Sequence, residues 1–370
     1  MPSLLTKSLS VALLAAASFA AGAQTLLTQI PLDSFTGDYA RIDVAVNSAT
    51  NRIYVPIQFE DYSGADYNYF RVLVINGATN QVVHNLDDFP SDGSYRAVAI
   101  DPVRNFTYVE MCNGTYTQCT VSVIDGQTED TVKTISLPAG DGGGAMAVDP
   151  VTGKVYIRTN NGLDVIESEA TGSIETFSLP LPGGPGSAGI AVSPYLHRLY
   201  FTYDPSGGGD EYLGFFDTLD NQITQEKHIS AEIDYFFNPV VNTATGHIFG
   251  TVSYPDFGGD YITIHDSSGN QLATVAPSAN ILGLDVDPKT NLAFAFVQGP
   301  SGYALEVIDG ASNTFRSTAP LYLPFAQTFV GGSVAVNPDT SRVYVPYNNT
   351  TSYPPPNVSG QFYLNVYSEQ

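Results

Sequence analysis

One short phrase recurs seven times between residues 43 and 345, and no other feature limits so sharply what the chain can fold into. Each copy is a small-apolar run ending in Asn, Asp or Ser, then a polar turn, then an aliphatic and aromatic run. In order they are DVAVNSATNRIYV (43–55), AVAIDPVRNFTYV (97–109), AMAVDPVTGKVYI (145–157), GIAVSPYLHRLYF (189–201), NPVVNTATGHIFG (238–250), GLDVDPKTNLAFA (283–295) and SVAVNPDTSRVYV (333–345). Their key residues Asn47, Asp101, Asp149, Ser193, Asn242, Asp287 and Asn337 lie 54, 48, 44, 49, 45 and 50 residues apart. A period of this size, made of short runs punctuated by turn residues, marks a radial β array whose units cannot bury their faces alone.

Two more runs complete a unit. In the second copy they are CTVSVID (119–125) and TVKTISL (131–137), and comparable pairs follow in the other copies, such as YFRVLVI (69–75) with QVVHNL (81–86). Apolar or alternating runs of five to eight residues bounded by Gly, Asn, Asp and Pro are strands. The expectation is an all-β, seven-bladed β-propeller with four antiparallel strands per blade. The seventh unit has only three runs, ending with FYLNVYS (362–368), whereas QTLLTQIPL (24–32) matches a fourth strand without a unit. The last blade is therefore expected to be closed by the mature N-terminal strand, which removes an exposed edge.

Residues 1–23 read as a signal peptide: Lys7, an apolar stretch from Val11 to Phe19, and Ala21-Gly22-Ala23 as the cleavage site. Residues 24–370 are then one propeller domain, exported to a periplasm or secreted and without a segment that inserts into a membrane. The net charge of −23, with no basic run, argues against a nucleic-acid or anionic-lipid partner. Cys112 and Cys119 bracket a hairpin and are expected to form a local disulfide, since two cysteines alone fall short of a structural zinc site.

The wording of the repeat resembles the YVTN-type β-propeller family of exported and surface-layer proteins. VAVNSATNRIYV, VAVNPDTSRVYV and VSVIDGQTEDTVKTISLP carry the likeness, which spans nearly the whole mature chain. It departs at Pro56 and Pro346, which follow Tyr-Val, and at Phe249 and Phe294, which replace Tyr. The resemblance implies the fold and no shared catalytic set.

Turns between first and second and between third and fourth strands share one face, and here they are monotonous Asx-type clusters with a structural role. The other face carries long, individual loops, among them 59–69, 203–212, 253–261 and 347–361, and the blade joints 87–96, 230–237 and 320–332. Loops held by a rigid frame are where function resides. The candidate ligand-binding residues are Asp61, Tyr62, Tyr67, Arg96, Asp210, Tyr212, Tyr235, Asp256, Asp260 and Tyr261. Flat aromatics beside carboxylates suit a carbohydrate or a protein partner; the competing readings are a Ca²⁺-organised loop and plain blade-edge capping. No EF-hand loop occurs, and no cofactor is expected. Arg41 and Arg96 sit at the tunnel mouth, where they either hold an anion or pair with Asp38 and Asp92.

None of the five histidines falls in the variable loops, and no nucleophile elbow, Cys-x-x-Cys or Walker loop is present. The expectation is a monomeric, non-enzymatic recognition or scaffold propeller with no catalytic and no metal residues. The alternative is a hydrolase or lactonase using carboxylates of the variable face, such as Asp256 with Asp260 or Asp210 with Glu211.

Overall fold

The computed structural model describes residues 24–369 apart from 38, 62–66, 90–92, 114–116, 140–142, 160–161, 168–172, 179–188, 204–209, 232–234, 255–258, 300–301, 322–332 and 351–357. Residues 1–23 and the candidates Tyr62 and Asp256 lie outside the described residues, as do Asp38, Asp92 and most of the 320–332 loop.

Among the described residues, twenty-nine strands form seven sheets in chain order. The first strand, β1 (Leu26–Gly37), is set aside for the last sheet. Blade 1 is β2 (Tyr39–Ile42), β3 (Ala45–Asn47), β4 (Arg52–Asp61), β5 (Tyr67–Asn76) and β6 (Gln81–Leu86). Blade 2 is β7 (Gly93–Asp101), β8 (Phe106–Asn113), β9 (Cys119–Asp125) and β10 (Asp130–Ser136). Blade 3 is β11 (Gly143–Val148), β12 (Val155–Thr159), β13 (Gly162–Ile166) and β14 (Ile174–Ser178), and blade 4 is β15 (Ile190–Ser193), β16 (Arg198–Tyr203), β17 (Asp210–Asp217) and β18 (Gln222–Ala231). Blade 5 is β19 (Tyr235–Val241), β20 (Ile248–Tyr254), β21 (Gly259–His265) and β22 (Gln271–Val275), and blade 6 is β23 (Asn280–Asp287), β24 (Leu292–Gly299), β25 (Gly302–Asp309) and β26 (Thr314–Leu321). Blade 7 is β27 (Ala335–Asn337), β28 (Arg342–Thr350) and β29 (Val358–Ser368), with β1 as its outer strand.

Burial explains why the runs read as they do. The middle strands β12 and β13 are buried at every residue, so they are mostly apolar, with Arg158, Thr159 and Asp164 as buried polar exceptions. Outer strands such as β10 alternate, one side packed and one side wet. The apolar clusters lie between neighbouring sheets: Val55 and Ile57 of blade 1 pack with Leu364 and Val366 of blade 7. Each such side chain contributes about 1.5–3 kcal/mol on full burial, so a ring with one blade missing would expose two such faces.

The N-terminal strand closes the ring as expected. β1 runs antiparallel to β29 from Leu26 opposite Tyr367 to Gly37 opposite Val358. Asp33 of β1 then reaches into blade 1, pairing with Arg71 at 3.0 Å. Pro56 has its own consequence. Lacking an N–H it cannot serve the inner edge of β4, and the first strand of blade 1 is split into β2 and β3 around Asp43. The expected disulfide joins Cys112 and Cys119, directly opposite one another on β8 and β9.

Candidate functional site

The two faces of the ring differ in what their backbone groups are doing. On the face of the monotonous turns, all seven key residues are buried. Six of them accept N–H groups of the following turn, as Asp101 does from Val103 at 2.9 Å and from Arg104 at 3.0 Å. The residue four places on takes left-handed backbone in every copy: Asn51, Asn105, Gly153, His197, Gly246, Asn291 and Ser341. Asn and Gly tolerate that region best.

A pattern inside the repeat now becomes chemically clear. Where the key residue is Asn, its amide donates to an Asn at the left-handed position of the next blade. Asn47 reaches Asn105 at 2.8 Å, Asn242 reaches Asn291 at 2.7 Å, and Asn337 reaches Asn51 at 3.0 Å. Where the key residue is Asp or Ser, which lacks that amide, the next blade carries Gly, His or Ser instead. Those junctions are tied otherwise. Arg104 crosses to the Pro150 carbonyl at 3.0 Å, Thr218 to Asp149 at 3.4 Å, and Arg198 to the Ser267 carbonyl at 2.7 Å. This face is committed to holding blades together.

The opposite face opens into the central channel, a cavity of about 460 Å³ to which all seven blades contribute. Its wall is chemically lopsided. Arg41, Asp43 and Arg96 from blades 1 and 2 are the charged residues among the described lining, whereas Pro239, Val240, Ile281, Leu282 and Val334 from blades 5 to 7 make an apolar side. A recurrent irregularity aims some of these side chains. The first strands of blades 2, 3 and 6 each carry a bulge, between Tyr95 and Ala97, Gly143 and Ala145, and Ile281 and Gly283. The extra residues are Arg96, Gly144 and Leu282, all of which line the channel.

Both arginines are held across blade junctions. Arg41 donates to the carbonyls of Tyr95 at 2.9 Å and Arg96 at 3.4 Å, and its guanidinium lies 5.0 Å from the Tyr95 ring centre. Arg96 donates through Nε to the Gly143 carbonyl at 2.5 Å, its Nη2 lying over Gly144, where a side chain would crowd it. The Tyr95 hydroxyl donates to Asp43 at 2.7 Å; burial, then the Asp43 charge, hold that phenol well above its ordinary value, so it stays a donor. Behind Arg96 lies Glu110, which accepts the Gly143 N–H at 3.0 Å. Burial pushes its carboxyl up to about 7, the Gly143 bond and Arg96 pulling the other way.

The expected loop residues divide into three groups. Arg96 lines the channel. Tyr212 stands opposite Tyr203 on the neighbouring strand, their tilted rings 5.5 Å apart, and meets the His228 ring edge-on at 5.0 Å. Similar aromatic pairs, Phe59 with Tyr69 and Tyr347 with Tyr363, sit beneath the loops of blades 1 and 7. Asp260 accepts the Ile281 N–H at 2.6 Å, tying blade 5 to blade 6, and Tyr261 is half-buried against the blade 4–5 core. For Asp61, Tyr67, Asp210 and Tyr235 only the strands that carry them are defined: the ends of β4 and β5, where Asp61 pairs with Tyr67, and the starts of β17 and β19. Among the described residues, one group of potential metal ligands comes together, Glu110 with Cys112 and Cys119, but both sulfurs are consumed by the disulfide.

Fold and channel together define an all-β, seven-bladed propeller. A solved structure of Kuenenia stuttgartiensis hydrazine synthase is similar, with a TM-score of 0.62 and 17% identity, covering 82% of this chain and 91% of that one; at this identity the likeness concerns architecture alone. No protein-family model matches the chain, and no curated protein does.

Proposed function

We propose that the protein is an exported, non-enzymatic recognition propeller of YVTN type that binds a protein or glycan partner through its long-loop face. The observation that carries this reading is the division of labour between the faces. One is spent on blade-to-blade ties, while the other carries the channel mouth and the individual loops. Export is supported by the leader-like residues 1–23 and by the disulfide, which persists in oxidising compartments. No helix among the described residues is long and apolar enough to cross a membrane. Of the carboxylates a hydrolase would draw on, Asp260 is engaged by the Ile281 backbone and serves the blade junction.

The test is binding of the purified chain to a glycan array and to defined extracellular proteins, repeated with alanine at Tyr62, Tyr212 and Tyr261. Loss of a ligand in these variants, with an unchanged melting temperature, supports the loop face. A ligand retained by all three but lost on altering the tight-turn face overturns the assignment.

A further inference from the structure

We propose that the channel mouth is a small-molecule site for an amphiphilic monocarboxylate, an organic acid with one carboxylate and a hydrocarbon body. The site is separate from loop recognition and does not depend on that reading. Its size is the first support: about 460 Å³ falls within the range of 300–1,000 Å³ typical of ligand pockets.

The second support is the distribution of charge. In a chain of net charge −23, the described channel lining carries two arginines against one aspartate. Both arginines are pre-positioned by the next blade. Arg41 uses two N–H groups on the carbonyls of Tyr95 and Arg96 and is braced by the Tyr95 ring. A guanidinium has five N–H donors, and among the described residues two of those on Arg41 are engaged. Arg96 is turned into the channel by its bulge and anchored at Gly143, while Gly144 leaves the room its guanidinium needs. Planar guanidinium groups match the two oxygens of a carboxylate.

The third support is the far wall. The bulge that presents Arg96 in blade 2 presents Leu282 in blade 6, and Ile281, Pro239, Val240 and Val334 extend the apolar surface around it. A ligand spanning the mouth would meet guanidinium groups at one end and hydrocarbon at the other. Asp43, held by Tyr95 and by its own contact with the Val44 N–H at 2.7 Å, stands beside the arginines and repels a second acidic group at that end. The apolar wall rejects one at the other end, because a charge buried there has no partner. One carboxylate and one hydrocarbon body is the chemistry that satisfies both ends.

The probe is octanoate, titrated calorimetrically into the full-length purified protein, with acetate, phosphate, 1-octanol and the dicarboxylate suberate as comparators. Octanoate is expected to bind one per chain and the four comparators to bind at least about tenfold more weakly, as loss of a charge-assisted contact or of the apolar contact predicts. Arg41→Gln with Arg96→Gln, and separately Leu282→Asp, should each weaken octanoate about tenfold or more, with melting used to confirm the fold. Absence of octanoate binding, equal binding of 1-octanol, suberate or phosphate, or full affinity in folded variants would overturn the proposal. The ligand comparison is made on the unaltered protein, so it holds even if a variant fails to fold.

Discussion

On the tight-turn face, seven turns place a left-handed residue at the same point, and three junctions are tied by one Asn-to-Asn bond. On the channel face, one backbone device, the first-strand bulge, presents an arginine in blade 2, a glycine in blade 3 and a leucine in blade 6. The first face draws on a narrow set of turn residues, with an Asn-to-Asn tie at three junctions and Arg or Thr ties at others, because holding the next blade is a task that recurs around the ring. The second repeats its backbone and lets the side chains diverge more widely. A recurring task on a repeated frame marks architecture, and divergent side chains mark a surface free to take on a ligand.

Four changes test that contrast, from the largest effect to the smallest. Deleting residues 24–37 removes the outer strand of blade 7 and the Asp33–Arg71 bridge into blade 1. A fall in melting temperature of about 10 °C or more is expected by calorimetry, since several buried side chains are lost together. Next comes pH. Burial pushes the Glu110 and Asp285 carboxyls up to about 7 and that of Glu369 to about 8, the last also through the nearby charge of Asp287. Each folded-state value lies above that of the unfolded chain, so the folded state holds these protons more tightly. Stability should be greatest below about pH 4.5 for these groups and erode as pH rises through 7 to 8. Glu110→Gln should flatten the part of that decline ending near pH 7, read from denaturation midpoints at successive pH values; an unchanged slope would show that Glu110 is ionised throughout.

Third, Asn47→Ala removes a buried amide and leaves the half-buried amide oxygen of Asn105 without its partner, and should cost about 1–3 kcal/mol in chemical denaturation. Asn242→Ala should cost about the same, and the two should add, because distant sites with no shared partners behave independently. Last, Arg96→Gln also removes a blade-to-blade bond, yet the freed Gly143 carbonyl belongs to a residue beside the channel. The expected cost is about 0.5–1.5 kcal/mol, and a larger loss than for Asn47→Ala would make Arg96 a structural latch rather than a ligand holder.

The fold was legible because the repeat spells out both its strands and its turns. Asn47 and its counterparts mark the tight turns, and the unpaired run 24–32 signals the closing strand. Less was legible at the site. That Arg96 faces the channel depends on a bulge set by pairing with β8, and pairing register is a property of two strands at once. Tyr212 and Asp260 stand out in the sequence as loop residues because Tyr and Asp recur there. Their neighbours do not: that Tyr212 packs against Tyr203 and that Asp260 accepts a backbone N–H 21 residues away depend on strand pairing and blade contact, which composition does not encode. The link between an Asn key residue and an Asn in the next blade is visible in the sequence, but it acquires meaning only once the two are known to touch.

β1 and β29 are partners more than 300 residues apart. On the ribosome the first of these strands is made before any blade exists and meets its mate only when synthesis is almost finished. Contacts so distant along the chain form slowly, because the intervening loop must first be closed. The unpaired edge of β1 is thus exposed for the whole of that interval, and the time to circularise, rather than the strength of any single blade, sets how long the newborn chain is vulnerable to sticking to its neighbours.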